Sequence, residues 1–251
     1  MTILSQIGGV IYLTVILICN KKKKKYRLRR LGLFSGIYLL STFVVVPLLA
    51  KIGGRERIKN TEFVKAHSFY TILLNRNYVK SELNEAMQNI GDRLNKEGNG
   101  IQLVYLDANF PFINGFPLLP HLSHSDGKKV DVSLIYQNEN GEITNKKPSI
   151  SGYGVYADPA INEYSATKFC KKQGHWQYDF TKYLTLGRIN RNIEFSEKGT
   201  RSLLKAIVQQ PKIGKIFIEP HLKTRLEVRS KKIRFHGCIA VRHDDHIHCQ
   251  L

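Results

Sequence analysis

The segment HLSHSDGKKVDV, residues 121–132, places two histidines three positions apart, followed by a glycine and two aspartates. Apolar and polar residues alternate in VDVSLIY (130–136), which predicts a half-buried strand that begins next to Asp131. Gly127 permits a tight turn before this strand, so His124 and Asp131 can approach each other. The segment therefore predicts either part of a metal site at the start of a strand or a polar loop.

A second histidine-rich segment, HDDHIH, occupies residues 243–248. The sequence HIHCQL (246–251) predicts a strand, and side chains two positions apart on a strand point to the same face. We therefore expect His246 and His248 to converge, with Ile247 turned toward the opposite layer. Catalytic zinc sites use three protein ligands. Neither segment alone provides a complete His/Asp/His set, so the sequence predicts one site built from both.

The remaining pattern predicts the α+β class, a small antiparallel sheet with flanking helices. Residues 53–100 are predicted to be a linker (53–60) followed by a helical segment, and 101–251 to be the main domain. An insertion at about 137–195 shows little periodicity. Helices are predicted at 61–74, 81–96 and 196–210, with another ending at 226; strands at 101–107, 130–136 and 215–220, and a final antiparallel pair at 237–241 and 246–251.

Two uncharged apolar stretches, residues 2–19 and 31–50, flank the basic sequence KKKKKYRLRR at 21–30. A helix over either stretch would be about 27–30 Å long, close to the thickness of a bilayer's hydrocarbon core. The prediction is a hairpin of two transmembrane helices within residues 1–52, with the basic loop in the cytoplasm. A cleavable signal peptide over 21–50 is the alternative. In both cases residues 51–251 would leave the cytoplasm.

The formal net charge is +19, and residues 51–251 contribute 31 basic and 20 acidic groups, or +11. An anionic partner is therefore plausible: nucleic acid, a membrane or a cell-wall polymer. Export disfavours nucleic acid. Three cysteines, Cys170, Cys238 and Cys249, would face an oxidising compartment and could form at most one bridge among themselves. A C-x-x-C pair is absent from the sequence, so a cysteine-type zinc site is not expected.

Together, the two histidine-rich segments match the pattern H-x-x-H-x-x-G-x-x-x-D followed distantly by H-x-x-H-x-H. This pattern resembles the LAS-type zinc metallopeptidases (lysostaphin, D-alanyl-D-alanine peptidase and Hedgehog-like proteins), and most closely the penicillin-insensitive murein endopeptidases. The likeness covers the motifs and the strand order from about residue 101, but neither the first hundred residues nor the insertion. The matching positions are His121, His124, Gly127, Asp131, His243, His246 and His248.

The resemblance implies that His124, Asp131 and His248 bind Zn²⁺. It implies that His246 stands beside the metal, as a base or as a stabiliser of the tetrahedral intermediate, and that His243 and His121 are auxiliary catalytic residues. Zinc lowers the pKa of bound water to about 7, and a neighbouring imidazole can take the proton.

The implied function is hydrolysis of peptidoglycan stem-peptide or cross-link amide bonds. The expected partners are peptidoglycan and the membrane. The expected location is the bacterial inner (cytoplasmic) membrane, with the catalytic domain on the periplasmic side. A non-catalytic zinc-containing binding or signalling domain of the cell envelope is the alternative.

Several other residues have two interpretations. Asp245 could orient a ligand histidine, or it could be a surface carboxylate. Trp176 and Tyr178 could wall a substrate cleft, or they could pack in a core. Arg225 and Arg242 could hold a substrate carboxylate.

Overall fold

A six-stranded sheet forms the centre of the computed structural model, which describes residues 1–19 and 25–251. Much of the basic segment predicted at 21–30 lies outside the described residues. The strands are β1 (Glu56–Arg57), β2 (Val64–Ala66), β3 (Tyr78–Val79), β4 (Leu103–Tyr105), β5 (Lys129–Ser133), β6 (Tyr136–Asn138), β7 (Ile143–Thr144), β8 (Ile193–Phe195), β9 (Lys215–Phe217), β10 (Ile233–Arg234) and β11 (His246–Gln250).

Helices precede and flank this sheet, so the mixed α+β class is confirmed. They are α1 (Thr2–Ser5), α2 (Gly8–Ile18), α3 (Tyr26–Ile52, π-helical over Ser41–Val45), α4 (Phe69–Leu73), α5 (Ser81–Lys96), α6 (Ala166–Lys172), a 3₁₀ helix (Trp176–Tyr183), α7 (Glu197–Val208) and α8 (Pro220–Arg225).

The strand order of the main sheet is β10-β9-β11-β5-β4-β2. The central strand β11 is antiparallel to both β5 and β9. The outer pairs β10–β9 and β2–β4 are parallel, so the sheet is mixed rather than purely antiparallel. The strand predicted at 237–241 is wrong: this segment is a loop. Since β5 and β9 occupy both edges of β11, no edge remains for a further strand there.

Helix α5 has the bounds that its apolar stripe predicts. Leu83, Met87, Ile90 and Leu94 recur at helical spacing, and all four are buried in the main core. Burying each such side chain contributes about 1.5–3 kcal/mol, which offsets the cost of ordering the chain. The helix thereby covers one face of the sheet and supports the strands that carry the histidines.

The helix predicted at 61–74 is wrong. These residues form β2, which pairs with β4 at the sheet edge, and the five-residue helix α4. Ser68 caps α4 by accepting a hydrogen bond from the Tyr70 amide. The pairing of β2 with β4 satisfies backbone groups that a local helix would have satisfied instead, so tertiary structure overrides the local preference.

The prediction of two transmembrane helices is also wrong. Among the described residues, one helix, α3, is long and apolar enough to cross a membrane. In the first apolar stretch the chain breaks at Gln6, which has a φ of 65°, so only the 11-residue α2 follows. Such a helix is about 16 Å long, roughly half of a 30 Å hydrocarbon core.

The 137–195 insertion is ordered. It holds the three-stranded sheet β7-β6-β8, helix α6 and the 3₁₀ helix. A disulfide joins Cys170 on α6 to Cys238 in the loop before β11. Cys249 is buried on β11 and stays a free thiol.

Candidate metal centre

The pairing of β5 with β11 brings the two histidine-rich segments together. His248 lies directly opposite Asp131 in the register of these strands. His124 arrives from the loop that turns at Gly127, where a φ of +79° favours glycine. The Gly127 amide donates to Asn109 Oδ1, which fixes the turn. The fold therefore places three potential ligands from distant segments at one point.

The tautomer of His124 follows from its backbone contact. Its Nδ1 lies 2.7 Å from the Ala108 carbonyl oxygen, which can only accept a hydrogen bond. Nδ1 therefore carries a proton, and the tautomer available to a neutral ring is the one with the Nε2 lone pair directed toward Asp131 and His248. Histidine binds metals through such a lone pair.

Three ligand atoms form a small triangle. His124 Nε2 is 3.2 Å from Asp131 Oδ1 and 3.1 Å from His248 Nδ1, and His248 Nδ1 is 2.9 Å from Asp131 Oδ1. Bond lengths of about 2.0–2.1 Å to a tetrahedral zinc ion require edges of roughly 3.3 Å. The triangle is therefore close to the size that such an ion needs, and these buried residues could hold a metal ion.

Charge in this cluster is concentrated on Asp131, which is fully buried. Burial raises the pKa of its carboxyl group, but the imidazoles of His124, His246 and His121 outweigh burial and hold that pKa well below its usual value. Burial lowers the pKa of His248 to about 4 despite its contact with Asp131. A carboxylate and a neutral imidazole result, which is the chemical state in which both groups bind a cation.

His246 stands beside the triangle with a free ring nitrogen. Its Nδ1 lies 2.5 Å from Asp245 Oδ1, whereas its buried Nε2 has no hydrogen-bond partner among the described residues. That Nε2 is 3.7 Å from Asp131 Oδ1. Burial lowers the pKa of His246, but Asp131 and Asp245 together more than reverse this and raise it to about 9. The arrangement suits a group that takes up a proton near the triangle.

His121 and His243 complete the cluster. His121 Nδ1 is 3.3 Å from Asp131 Oδ2, and the His243 ring centroid is 4.9 Å from that of His246. Burial is the main cause that keeps the pKa of both side chains well below the usual value. All six predicted site residues therefore lie in one buried cluster.

Sequence reasoning missed the contribution of the insertion. The Tyr153 hydroxyl donates to Asp131 Oδ2 at 3.0 Å, and the Gly154 amide donates to Asp245 Oδ2 at 2.6 Å. A side chain at Gly154 is excluded because its Cβ would lie 2.4 Å from the Thr181 carbonyl oxygen. These contacts lie far from the motifs in sequence and carry no periodic signal.

The other candidate residues divide between the site and its surroundings. Asp245 is buried and contacts His246, so it is not a surface carboxylate, but it does not contact either histidine of the proposed ligand set. Arg242 pairs with the buried Asp244, and Arg225 pairs with Glu163, so neither guanidinium is free for a substrate carboxylate.

A cleft of about 480 Å³ opens onto the cluster. His121, His243 and His248 lie at its base. Trp176, which is 72% exposed, belongs to the opposite wall. Tyr178 is instead buried and donates its hydroxyl hydrogen to Glu219. The rest of the wall consists of Leu119, Pro120, Leu122, Ser123, Gln177, Phe180, His236, Ile239, Ala240 and Val241.

The disulfide connects two sides of this cleft. Cys170 precedes the 3₁₀ helix that carries Trp176 and Phe180, and Cys238 adjoins Ile239. The Gln177 side-chain amide also reaches the Cys238 carbonyl at 3.4 Å. The disulfide therefore links the segment that carries Trp176 and Phe180 to the loop that carries Ile239, and all three residues line the cleft.

No protein-family model matches the chain, and no curated protein matches it. The fold and the site define a mixed α+β protein in which buried histidine and aspartate side chains could hold a metal ion at the base of a cleft.

Proposed function

We propose that this protein is a membrane-anchored zinc metallopeptidase that hydrolyses amide bonds in peptidoglycan stem peptides or cross-links. The observation that carries the proposal is the triangle of His124, Asp131 and His248, with the free Nε2 of His246 beside it. An orphaned buried nitrogen at this position suits a proton acceptor for an incoming water molecule.

The donor set favours zinc over magnesium or calcium. Two imidazole nitrogens and one carboxylate oxygen match the ligands of catalytic zinc, whereas magnesium and calcium prefer oxygen ligands alone. Three protein ligands would also leave a fourth coordination position for water or substrate.

Each residue around the triangle has a chemical task in this proposal. Zinc, when bound, supplies a Lewis acid that polarises the scissile carbonyl group and acidifies water. His246 Nε2 accepts the proton of the attacking water, and Asp245 stabilises the imidazolium that results. The same imidazolium then returns the proton to the leaving amine.

The substrate class rests on the motif resemblance and on charge. Residues 51–251 carry a net charge of +11, which suits an anionic cell-wall polymer. The apolar walls of the cleft, among them Trp176 and Phe180, would exclude water from a bound peptide and orient its amide.

Two observations support the location in this proposal, the helix α3 and the disulfide. Arg27, Arg29 and Arg30 lie at the start of α3, so the positive-inside rule favours that end in the cytoplasm and residues 53–251 outside. The disulfide Cys170–Cys238 would persist there. A single span thus takes the place of the predicted hairpin.

We infer that α3 is retained rather than cleaved. Thr42, Val46 and Ala50 form one face of α3, and all three are buried. Val46 and Ala50 pack with Tyr78 of the folded domain. Cleavage after Ala50 would remove this face and expose the domain surface that it covers.

The test is to measure zinc content and muropeptide hydrolysis of the full chain, purified in detergent, beside His124→Ala and His246→Ala variants. We expect stoichiometric zinc and hydrolysis in the parent, no zinc in His124→Ala, and zinc without hydrolysis in His246→Ala. His175→Ala, which changes a histidine outside the cluster, is the control.

The outcomes separate the alternatives. Zinc without hydrolysis of any cross-linked muropeptide by the parent would favour the non-catalytic zinc-binding domain. Absence of zinc from the parent, after zinc has been supplied, would refute both.

A further inference from the structure

Helix α3 packs against the folded domain. Its residues from Tyr38 to Ala50 lie alongside it: the Tyr38 hydroxyl donates to the Leu73 carbonyl at 2.9 Å. Ala50, at the other end of this contact, packs against Tyr78. Tyr38 and Ala50 are separated by about 18 Å along the helix. The domain is therefore in contact with the helix over this whole length.

The charge-free part of α3 overlaps this contact. Residues 31–50 lie between Arg30 and Lys51 and contain no charged side chain. They would extend about 30 Å as a helix, which matches the hydrocarbon core. The part of α3 below the contact, Tyr26 to Tyr38, is only about 18 Å long and cannot cross that core alone. If α3 spans the bilayer, the domain surface beside Tyr38 must enter it.

That surface has the composition which lipid contact requires. Phe69 and Tyr70 on α4 are 61% and 63% exposed, and the Phe69 ring stacks on Phe43 of α3 with a centroid distance of 6.3 Å. Two adjacent aromatic side chains this exposed would be unfavourable in water but favourable at a lipid boundary.

Arg57, which lies beside Phe43 of α3, is shielded from lipid. Its guanidinium donates to the Thr42 carbonyl and, through Nε, to the Tyr78 hydroxyl at 2.8 Å. It also lies 5.4 Å from the centre of the Phe43 ring. Hydrogen bonds and aromatic faces thus take the place of water around this charge.

We propose that the α4 flank, defined as Phe69–Leu74, is immersed in the bilayer and contacts lipid acyl chains. The inference rests on the proposed membrane span. Tyr70 and Leu74 of this flank also line a second cleft of about 650 Å³, which Arg76, Asp107 and Tyr153 line as well.

The test is fluorescence quenching by brominated acyl chains. Trp176 is the single tryptophan of the chain, so Trp176→Phe gives a silent background in which single tryptophans are introduced. Phe69→Trp and Tyr70→Trp probe the flank. Leu39→Trp, on an exposed position of α3, probes the span. Phe235→Trp probes the opposite edge of the sheet, next to β10.

The full-length variants are reconstituted in vesicles of phosphatidylcholine with or without bromine on the acyl chains, and circular dichroism reports their folding. We expect bromine to reduce the fluorescence of Phe69→Trp, Tyr70→Trp and Leu39→Trp, but not of Phe235→Trp. Quenching of Leu39→Trp alone would overturn the immersed flank and leave the span intact. Quenching of none of them would overturn the span and this inference together, and zinc binding would still be judged separately.

Discussion

The proposed ligand triangle and the proposed proton acceptor, His246, are held by different parts of the molecule. Asp131 and His248 sit on paired central strands, and His124 is oriented by the Ala108 carbonyl beside them. His246 shares strand β11, but its partner Asp245 is fixed by the backbone of Gly154 in the insertion. The sheet therefore determines where the metal would sit, whereas the insertion determines how the proton acceptor is oriented.

This difference predicts that separate substitutions can disturb metal binding and proton transfer. A change in the sheet would remove the ligand triangle and everything that depends on it. A change in the insertion would leave the triangle in place and alter the orientation or basicity of His246. Tyr153 is the exception, because it links the insertion directly to Asp131.

The largest expected effect is that of His246→Ala on turnover. Because the variant lacks the proton acceptor but keeps the triangle, we expect kcat to fall by about 10²–10⁴-fold, with unchanged zinc content. Steady-state hydrolysis and metal analysis of the same preparation measure both quantities. Loss of zinc together with activity would contradict the separation of metal binding from proton transfer.

Asp245→Asn should have a smaller effect, a reduction in kcat of about 10–100-fold. Asp245 raises the pKa of His246, so an amide in its place lowers that pKa. If His246 must be unprotonated to act, the rising limb of the pH–rate profile then moves to lower pH. Asp92→Asn, on the exposed side of α5, is the matched control. A profile that does not move would show that Asp245 does not act through His246.

Tyr153→Phe tests the link between the insertion and the triangle. Loss of its hydrogen bond to Asp131 Oδ2 should weaken zinc affinity by roughly 10-fold. Competition with a chromogenic chelator measures this affinity. Tyr156→Phe removes a hydroxyl from the same segment, one that bonds Thr181 instead of a ligand. Equal affinities in the two variants would contradict the role given to Tyr153.

Lys147→Met should leave the site unaffected and change only stability. Burial lowers the pKa of Lys147 to about 7, from 10.5 in the unfolded chain. Between these values the unfolded state binds more protons, so stability should rise with pH from about 7 to 10.5.

Removing this amine should raise the free energy of unfolding near neutral pH by an amount on the order of a few kcal/mol. It should also flatten the rise of that free energy between about pH 7 and 10.5. Thermal unfolding across this pH range measures it, with the exposed neighbour Lys146→Met as control. An unchanged slope in Lys147→Met would assign the pH dependence to other groups.

The parts that local pattern could predict are those that local interactions stabilise. Helix α5 has its whole apolar stripe within sixteen residues, and its predicted bounds are confirmed. Strand β11 follows from the same logic, since alternate side chains share a face. The meeting of His124, Asp131 and His248 follows from motif spacing once their strands pair.

The incorrect predictions share a different cause, because the structure of each of these segments depends on partners distant in sequence. Residues 61–74 pair with β4, and 237–241 are held by a disulfide instead of a strand partner. The first apolar stretch breaks at Gln6, whose side-chain oxygen accepts from the Phe112 amide. Tyr153 and Gly154 were missed because an irregular insertion gives no sign of what it contacts.

The attachment of α3 to the domain has a mechanical consequence. Residues 53–60 were predicted to form a linker, but β1 pairs with β3, and the buried Arg55 guanidinium donates to the Ser125 carbonyl at 3.1 Å. An enzyme on a flexible tether samples substrate over a volume set by tether length. In the proposed membrane-anchored enzyme, the fold would set the height and tilt of the cleft above the bilayer. The protein would then act on one layer of the surrounding polymer, and a longer reach would require a different domain structure.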